Sequence, residues 1–406
     1  MNEQTVRELV ESGLLRVEDG NHGEYRPRPD EFVEEGVSYI RAADMTSGVI
    51  DFKSAGKISQ VARERIRKGI GNAGDVILSH KGTVGRVAVA PPNSPEFVCS
   101  PQTTFWRSLD ASVLDQQYLM YFMCSANFLR QLDVLKGQTD MAPYVSLTDQ
   151  RSIVLQLPPI TQQRGIAEVL GALDDKIAAN GRVGRLAEEL ADAKFREAVE
   201  GIPFADNTFA DLADVGGGGT PKTTVEEFWG GQVAWATPTD VTGLDLPYLS
   251  TTSRTITEDG LGACASALYP PGSILMTSRA TIGAFAIAEL PMAVNQGFIV
   301  VNAFKPNYQW WLYHEMRSRI PEFLSHANGA TFLELSRGRF KVLPVRLAHD
   351  GVIARFSAEV DKLHKLAAQV QSESRTLAKT RDELLPLLMS GKLRVKDAEQ
   401  VVEEIA

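Results

Sequence analysis

Gly74-Asp-Val-Ile-Leu-Ser-His-Lys-Gly-Thr-Val-Gly-Arg-Val-Ala-Val-Ala90 is met again, without a gap, as Gly272-Ser-Ile-Leu-Met-Thr-Ser-Arg-Ala-Thr-Ile-Gly-Ala-Phe-Ala-Ile-Ala288. Each copy holds two apolar, β-branched runs joined by a glycine-containing turn, the pattern of a β-hairpin. Gly74 matches Gly272, Lys81 matches Arg279, Thr83 matches Thr281 and Gly85 matches Gly283. Working outward, strand candidates at 36–44 and 231–240 precede the two hairpins and others at 97–102 and 292–296 follow. Residues 148–155 then line up with 336–343. The order of blocks is kept while their offset changes, so the loops differ in length. A period near half the chain is too long for a solenoid and indicates a two-fold domain duplication.

Each half closes in a long helix. In the second, Ile353, Phe356, Val360, Leu363, Ala367, Val370, Ser374, Leu377, Arg381, Leu384 and Leu388 advance by three and four, a coiled-coil seam. Pro386 is expected to end or kink it. In the first, Ile166, Leu170, Leu173 and Ile177 keep heptad phase. Val183, Leu186, Leu190 and Ala193 resume in a shifted phase beyond Gly181 and Gly184, which predicts an interruption. A helix of about 38 residues measures roughly 57 Å, too long to find its partner inside one module. The two helices are therefore expected to pair antiparallel.

The chain has 406 residues, 44% hydrophobic and 23% charged, the range of ordinary globular proteins. Its first ten residues carry acids where a signal peptide needs a basic run, and no stretch has the length of a membrane span, so a cytoplasmic location is expected. The three cysteines, Cys99, Cys124 and Cys264, are too scattered for a metal cluster or a disulfide framework. A net charge of −9 argues against a nucleic-acid partner taken as a sum. Its distribution argues otherwise: Lys53, Lys57, Arg63, Arg65, Arg67 and Lys68 bunch in the first module, with a basic helix expected near 61–68.

Catalytic groups are hard to find. The six histidines show no metal-ligand spacing. Asp214-Val-Gly-Gly-Gly-Gly-Thr-Pro-Lys222 fails as a phosphate-binding loop because Pro221 separates Thr220 from Lys222, and it reads instead as a turn permitting close backbone approach. Asp30, Asp51 and Lys53 follow the order of a metal-dependent nuclease core. That ordering has no counterpart in the second module, and a stand-alone nuclease is the alternative kept. A coiled-coil adaptor without a DNA role is a third class. The aromatic run Trp310-Trp-Leu-Tyr313 reads as helix core.

Several segments resemble the specificity (S) subunits of Type I restriction-modification systems. They are Asp19-Gly-Asn-His-Gly-Glu-Tyr-Arg-Pro27, and Gly218-Gly-Thr-Pro-Lys222 with Phe228-Trp-Gly-Gly231 and Trp235. To these are added Leu157-Pro-Pro-Ile-Thr-Gln-Gln-Arg164 running into Gly-Ile-Ala-Glu-Val-Leu-Gly-Ala-Leu-Asp-Asp-Lys-Ile177, and Leu387-Leu-Met-Ser-Gly-Lys-Leu393. The second module departs from the pattern, entering its helix through Leu347-Ala-His-Asp350. The resemblance implies an α+β chain: two mixed α/β target-recognition domains related by a pseudo-two-fold and joined by two long antiparallel coiled-coil helices. Its divisions would be residues 1–157 and 203–348 for the recognition domains, 158–202 and 349–395 for the spacer helices, and 396–406 for a tail.

The resemblance further implies a subunit without catalysis of its own that reads a bipartite, asymmetric site in double-stranded DNA. Two methyltransferase subunits would carry S-adenosylmethionine, and restriction subunits would use ATP and Mg²⁺. No cofactor or metal is expected on this chain. By residue type, the DNA-binding candidates are His22, Arg26, Lys57, Arg63, Lys81 and Arg86 in the first module and Lys222, Arg254 and Arg279 in the second, with Gln102 and Gln296 as adenine readers. Partner-docking candidates are Arg164, Ile166, Leu170, Leu173, Ile177, Phe356, Val360 and Leu363.

Overall fold

The computed structural model describes residues 2–46, 48–136, 143–329 and 333–405. It divides into two compact units, residues 1–175 with 377–406 and residues 176–376.

In the first unit, Val76–Ser79 is apolar apart from its last residue and buried at all four positions, which makes it a central strand. It lies between Thr103–Ser108 and Val87–Val89, both antiparallel to it. The six-stranded sheet runs Leu15–Asp19, Thr103–Ser108, Val76–Ser79, Val87–Val89, Val49–Ile50, Met45–Thr46. A five-stranded sheet contains Val37–Ile40 beside Phe97–Cys99, parallel. Ile40, Ile77, Phe97 and Phe105 close the core between them. The basic helix is shorter than its composition suggests, Gln60–Arg65, because Ser59 caps its start and Ile66 is already extended.

The second unit repeats this plan. Ile274–Thr277 lies between Phe298–Ala303 and Phe285–Ala288, and Trp229–Ala236 runs parallel to Met292–Val294. The expected hairpins are both present, with Leu78 opposite Val87 in one and Met276 opposite Phe285 in the other. Glycines recur where the backbone turns left-handed: Gly74 (φ 82°) and Gly272 (φ 86°), Gly85 (φ 99°) and Gly283 (φ 90°). Gly82 (φ 78°) has Ala280 as its counterpart, and the alanine adopts φ 58° in the same corner. Backbone hydrogen bonds hold each corner, Gly82 N–H to Pro143 O at 2.9 Å and Ala280 N–H to Leu333 O at 3.0 Å.

The long helices are Ile160–Ala198 and Asp350–Met389. The second keeps its seam, with Ile353, Phe356, Val360, Ala367, Val370, Leu377, Leu384 and Leu388 all buried. It runs three residues past Pro386, which sits close enough to the end that one lost backbone donor does not break it. The first helix does not slip phase. After Ile177 the inward positions are Asn180, Gly184, Ala187 and Ala191, continuing the three-four advance, while Val183, Leu186 and Leu190 are 40%, 64% and 48% exposed. Small residues are inward because there is little room. A Cβ on Gly184 would lie 2.3 Å from the Leu246 side chain. Within the second unit the helices are antiparallel, Lys176 pairing with Glu373 and Lys194 with Glu359. Within the first, Asp174 pairs with Arg381.

A buried polar cluster ties these helices to the second unit's sheet. Glu188 accepts from the Tyr248 hydroxyl at 2.6 Å and from His364 Nδ1 at 2.9 Å. His364 Nε2 meets His314 Nε2 at 2.9 Å, and His314 Nδ1 meets Asp192 at 2.7 Å. Arg317 bridges both carboxylates, and Trp310 stacks on His364 with ring centroids 3.7 Å apart. Burial pushes His314 below the ordinary imidazole value, against the pull of Asp192, so His314 is the accepting ring at Nε2. His364 Nε2 then donates to it, and His364 Nδ1 lies between the Glu188 carboxylate at 2.9 Å and the Tyr248 hydroxyl at 2.8 Å. Trp311 and Tyr313 are fully buried beside it, as the aromatic run predicts.

Candidate nucleic-acid interface

Both units build a rim where a glycine turn crosses the end of the parallel strand pair. In the first unit Gly20 passes so close to Cys99 that a Cβ would lie 1.9 Å from its carbonyl oxygen. In the second, Gly218 passes Val294 with the corresponding distance at 1.8 Å. No side chain fits at either place, which explains the glycines. The turn brings His22 beside Tyr39 in the first unit, with ring centroids 6.3 Å apart. In the second, Trp235 donates its indole N–H to Gly219 O at 3.1 Å. Tyr39 and Trp235 hold the same place in their strands, opposite Val98 and Ala293.

In the first unit His22 is 5% exposed, its Nε2 2.9 Å from Cys99 O, and it lines a cavity of about 560 Å³ with Tyr25, Arg67 and Lys68. Arg26 and Gln102 are exposed. Lys81 is exposed and lies over the Tyr144 ring at 5.7 Å. Other candidate charges are engaged locally. Lys57 donates to Ser38 Oγ and Phe52 O, Arg63 pairs with Glu96 at 2.6 Å, and Arg86 donates to Ala42 O at 2.9 Å. In the second unit Lys222 and Arg254 are exposed, Arg279 pairs with Glu334 at 2.9 Å, and the Gln296 amide oxygen accepts from the Thr220 hydroxyl at 2.6 Å. Composition marked Trp235 but not the stacking of Arg254 on Trp229, which depends on a strand pairing 25 residues away. The pair of glycines after Trp229 was the available signal.

Of the docking candidates, Ile166, Leu170, Leu173, Phe356 and Val360 are at most 5% exposed and are used within the chain. Arg164 is exposed, donating to Ala111 O at 2.9 Å, and Ile177 and Leu363 are half-buried. Asp51 does not stand ready for a metal: its Oδ1 accepts from Lys53 N–H and Ser54 N–H. The Ser54 side chain first, and then these backbone hydrogen bonds, hold its carboxyl below the usual range. Among the described residues no group of three or more His, Cys, Asp or Glu gathers as a metal site. No helix among them is long and apolar enough to cross a membrane.

The first unit buries two histidines, His22 and His80. His80 is 2% exposed, with Nδ1 3.0 Å from Val145 O and Nε2 buried without a partner. Burial lowers its pKa and that of His22, with the carbonyl hydrogen bonds opposing. A histidine whose folded value is depressed contributes stability above its unfolded value, about 6.5, and loses it as pH falls through the folded one. Urea unfolding between pH 7 and pH 5 is therefore expected to show the first unit weakening. The loss approaches about 1.4 kcal/mol per pH unit per histidine at its steepest. His80→Asn keeps a donor without the titration and should flatten that limb, and an unchanged slope would contradict the assignment.

A model of the Type I restriction modification DNA specificity domain matches residues 21–186 and again 204–373. The chain is 36% identical over 137 residues to the Type I restriction enzyme MjaIX specificity subunit of Methanocaldococcus jannaschii, a match spanning 33% of this chain and 32% of that protein. It is 21% identical over 393 residues to the putative type I restriction enzyme MjaX specificity subunit of the same organism, covering 89% and 88%. The crystal structure of the Type-I restriction-modification system S subunit from M. genitalium superposes with a TM-score of 0.56 at 15% identity over 95% of each chain, a likeness of fold. With two copies of its domain filling most of the sequence, the chain belongs to the Type I restriction modification DNA specificity family.

Proposed function

We propose that this chain is the sequence-reading subunit of a Type I restriction-modification complex, recognising a bipartite, asymmetric site in double-stranded DNA. One observation carries the reading: a single backbone frame presents unlike side chains in the two units. Gly20 and Gly218 make the same close approach, yet the rims are His22, Tyr25, Arg67 and Lys68 in one and Thr220, Gln296, Trp229 and Arg254 in the other. Two copies of one reader with different donors and acceptors suit two different half-sites. Residues 1–157 and 203–348 serve as readers on helical arms 158–202 and 349–395, with 396–406 as a tail.

Adenine methylation, with S-adenosylmethionine, belongs on this reading to two methyltransferase subunits, and ATP- and Mg²⁺-dependent restriction to further subunits. The exposed apolar residues Val183, Leu186 and Leu190, one turn apart on the outer face of the first long helix, suit a docking helix better than the consumed seam does. Phosphate contacts shared with such partners offset the chain's net charge of −9. Mapping methylated adenines in the host genome, with and without this gene, tests the proposal. A gapped motif with unlike halves that vanishes on deletion is expected. A continuous or palindromic motif would overturn it.

A further inference from the structure

The strand Trp229–Ala236 pairs with Arg254–Ile256, and its register shifts so that Trp229 and Val233 both face Ile256. Gly230 at φ 78° makes the bulge, and Gly231 passes so near that a Cβ would lie 2.6 Å from Ile256 O. This bulge folds Trp229 back onto Trp235, edge to face with centroids 5.1 Å apart. Both indole N–H groups are then spent on the glycine-rich turn, Trp229 on Lys222 O at 3.3 Å and Trp235 on Gly219 O at 3.1 Å. Arg254 sits opposite Trp235, and its guanidinium lies 3.5 Å from the Trp229 ring centroid and 5.9 Å from that of Trp235.

Arg254 is exposed, and among the described residues no carboxylate pairs with it. Arg63, Arg107, Arg279 and Arg317, by contrast, direct their forks at Glu96, Asp75, Glu334 and the Glu188 and Asp192 carboxylates. Stacking occupies the face of a guanidinium and leaves the N–H donors in its plane unspent. It also fixes the plane before any ligand arrives, which reduces the ordering cost of binding. A flat, two-donor edge held at a rim matches a pair of adjacent acceptors. In the major groove guanine alone offers that pair, N7 and O6.

We propose that Arg254 reads a guanine in the half-site of the second unit, with Trp229 and Trp235 as positioning residues. The proposal rests on the DNA-reading function above. To test it, the full chain is recovered from its host with its bound partners and used to select from random-sequence duplexes, beside Arg254→Lys, Arg254→Gln, Trp229→Phe and Trp229→Ala variants. Both Arg254 variants should lose preference for one guanine in one half of the motif, with affinity for that duplex falling about tenfold to a hundredfold. The other half should be unchanged. Trp229→Ala should blur the same position more weakly, and Trp229→Phe should restore it. A uniform loss across all duplexes would mark a phosphate contact and overturn the assignment, as would an unchanged motif. If the unaltered complex selects no motif, the DNA-reading function fails with it, so the two failures are told apart.

Discussion

Glu188→Ala is expected to cost the second unit about 3–5 kcal/mol, because it removes one side of a buried charge balance and leaves the other in place. Glu188 is 6% exposed and accepts from Tyr248, His364 and Arg317. Without it Arg317 loses one of its two carboxylate partners and the Tyr248 hydroxyl its acceptor. Burial alone would raise the Glu188 pKa, but the His364 ring, the Tyr248 hydroxyl and Arg317 outweigh it and hold the carboxyl below its usual value. A carboxylate depressed in this way stabilises above its unfolded value, about 4.3, and the benefit is lost as pH falls through the folded one. Urea unfolding at neutral pH measures the loss, and a double-mutant cycle with His364→Gln should show coupling of about 1–3 kcal/mol. A loss below about 1 kcal/mol would mean that the cluster behaves like an exposed ion pair.

Gly20→Ala and Gly218→Ala are expected to damage one unit each. The added methyl meets backbone carbonyl oxygen, which cannot swing aside like a side-chain tip, so the strand or the turn has to move. About 3 kcal/mol or more is expected, at the upper end for an overpacked site. Because Gly20 lies over Cys99 and Gly218 over Val294, the strain falls on the rim itself. Hydrogen exchange should show faster opening at 97–99 in the first variant and 292–294 in the second. DNA selection should lose one half-site in each and keep the other. Equal damage to both half-sites would contradict two independent readers.

The hairpins at 74–90 and 272–288 were legible because β-branched runs and glycine turns are local signals. The second long helix was legible for a similar reason: its seam is bulky. The first was misread past Ile177 because the seam passes to Asn180, Gly184, Ala187 and Ala191, which carry little hydrophobic signal, while larger side chains face outward. Packing space decides that face, and space is a tertiary property. The site followed the same division. Glycine turns and aromatic positions could be read from spacing, but whether a charge is available could not. Arg63 meets an acid 33 residues away and Arg254 meets none among the described residues. The pairing of His314 with His364 joins helices 50 residues apart in sequence and had no local mark.

The corner at Ala280 has a mechanical side. A left-handed alanine stores about 1–2 kcal/mol that its glycine counterpart Gly82 does not. The hydrogen bonds from Ala280 N–H to Leu333 O and from Leu335 N–H to Ser278 O keep it wound. Arg279, the preceding residue, is tied by Glu334 to the same clasp. Any ligand that draws Arg279 away from Glu334 pulls on a loaded joint, and release of the alanine would favour the opened form by a factor of about five to thirty. The second unit thus holds a spring in its hairpin turn where the first, with Gly82, has none.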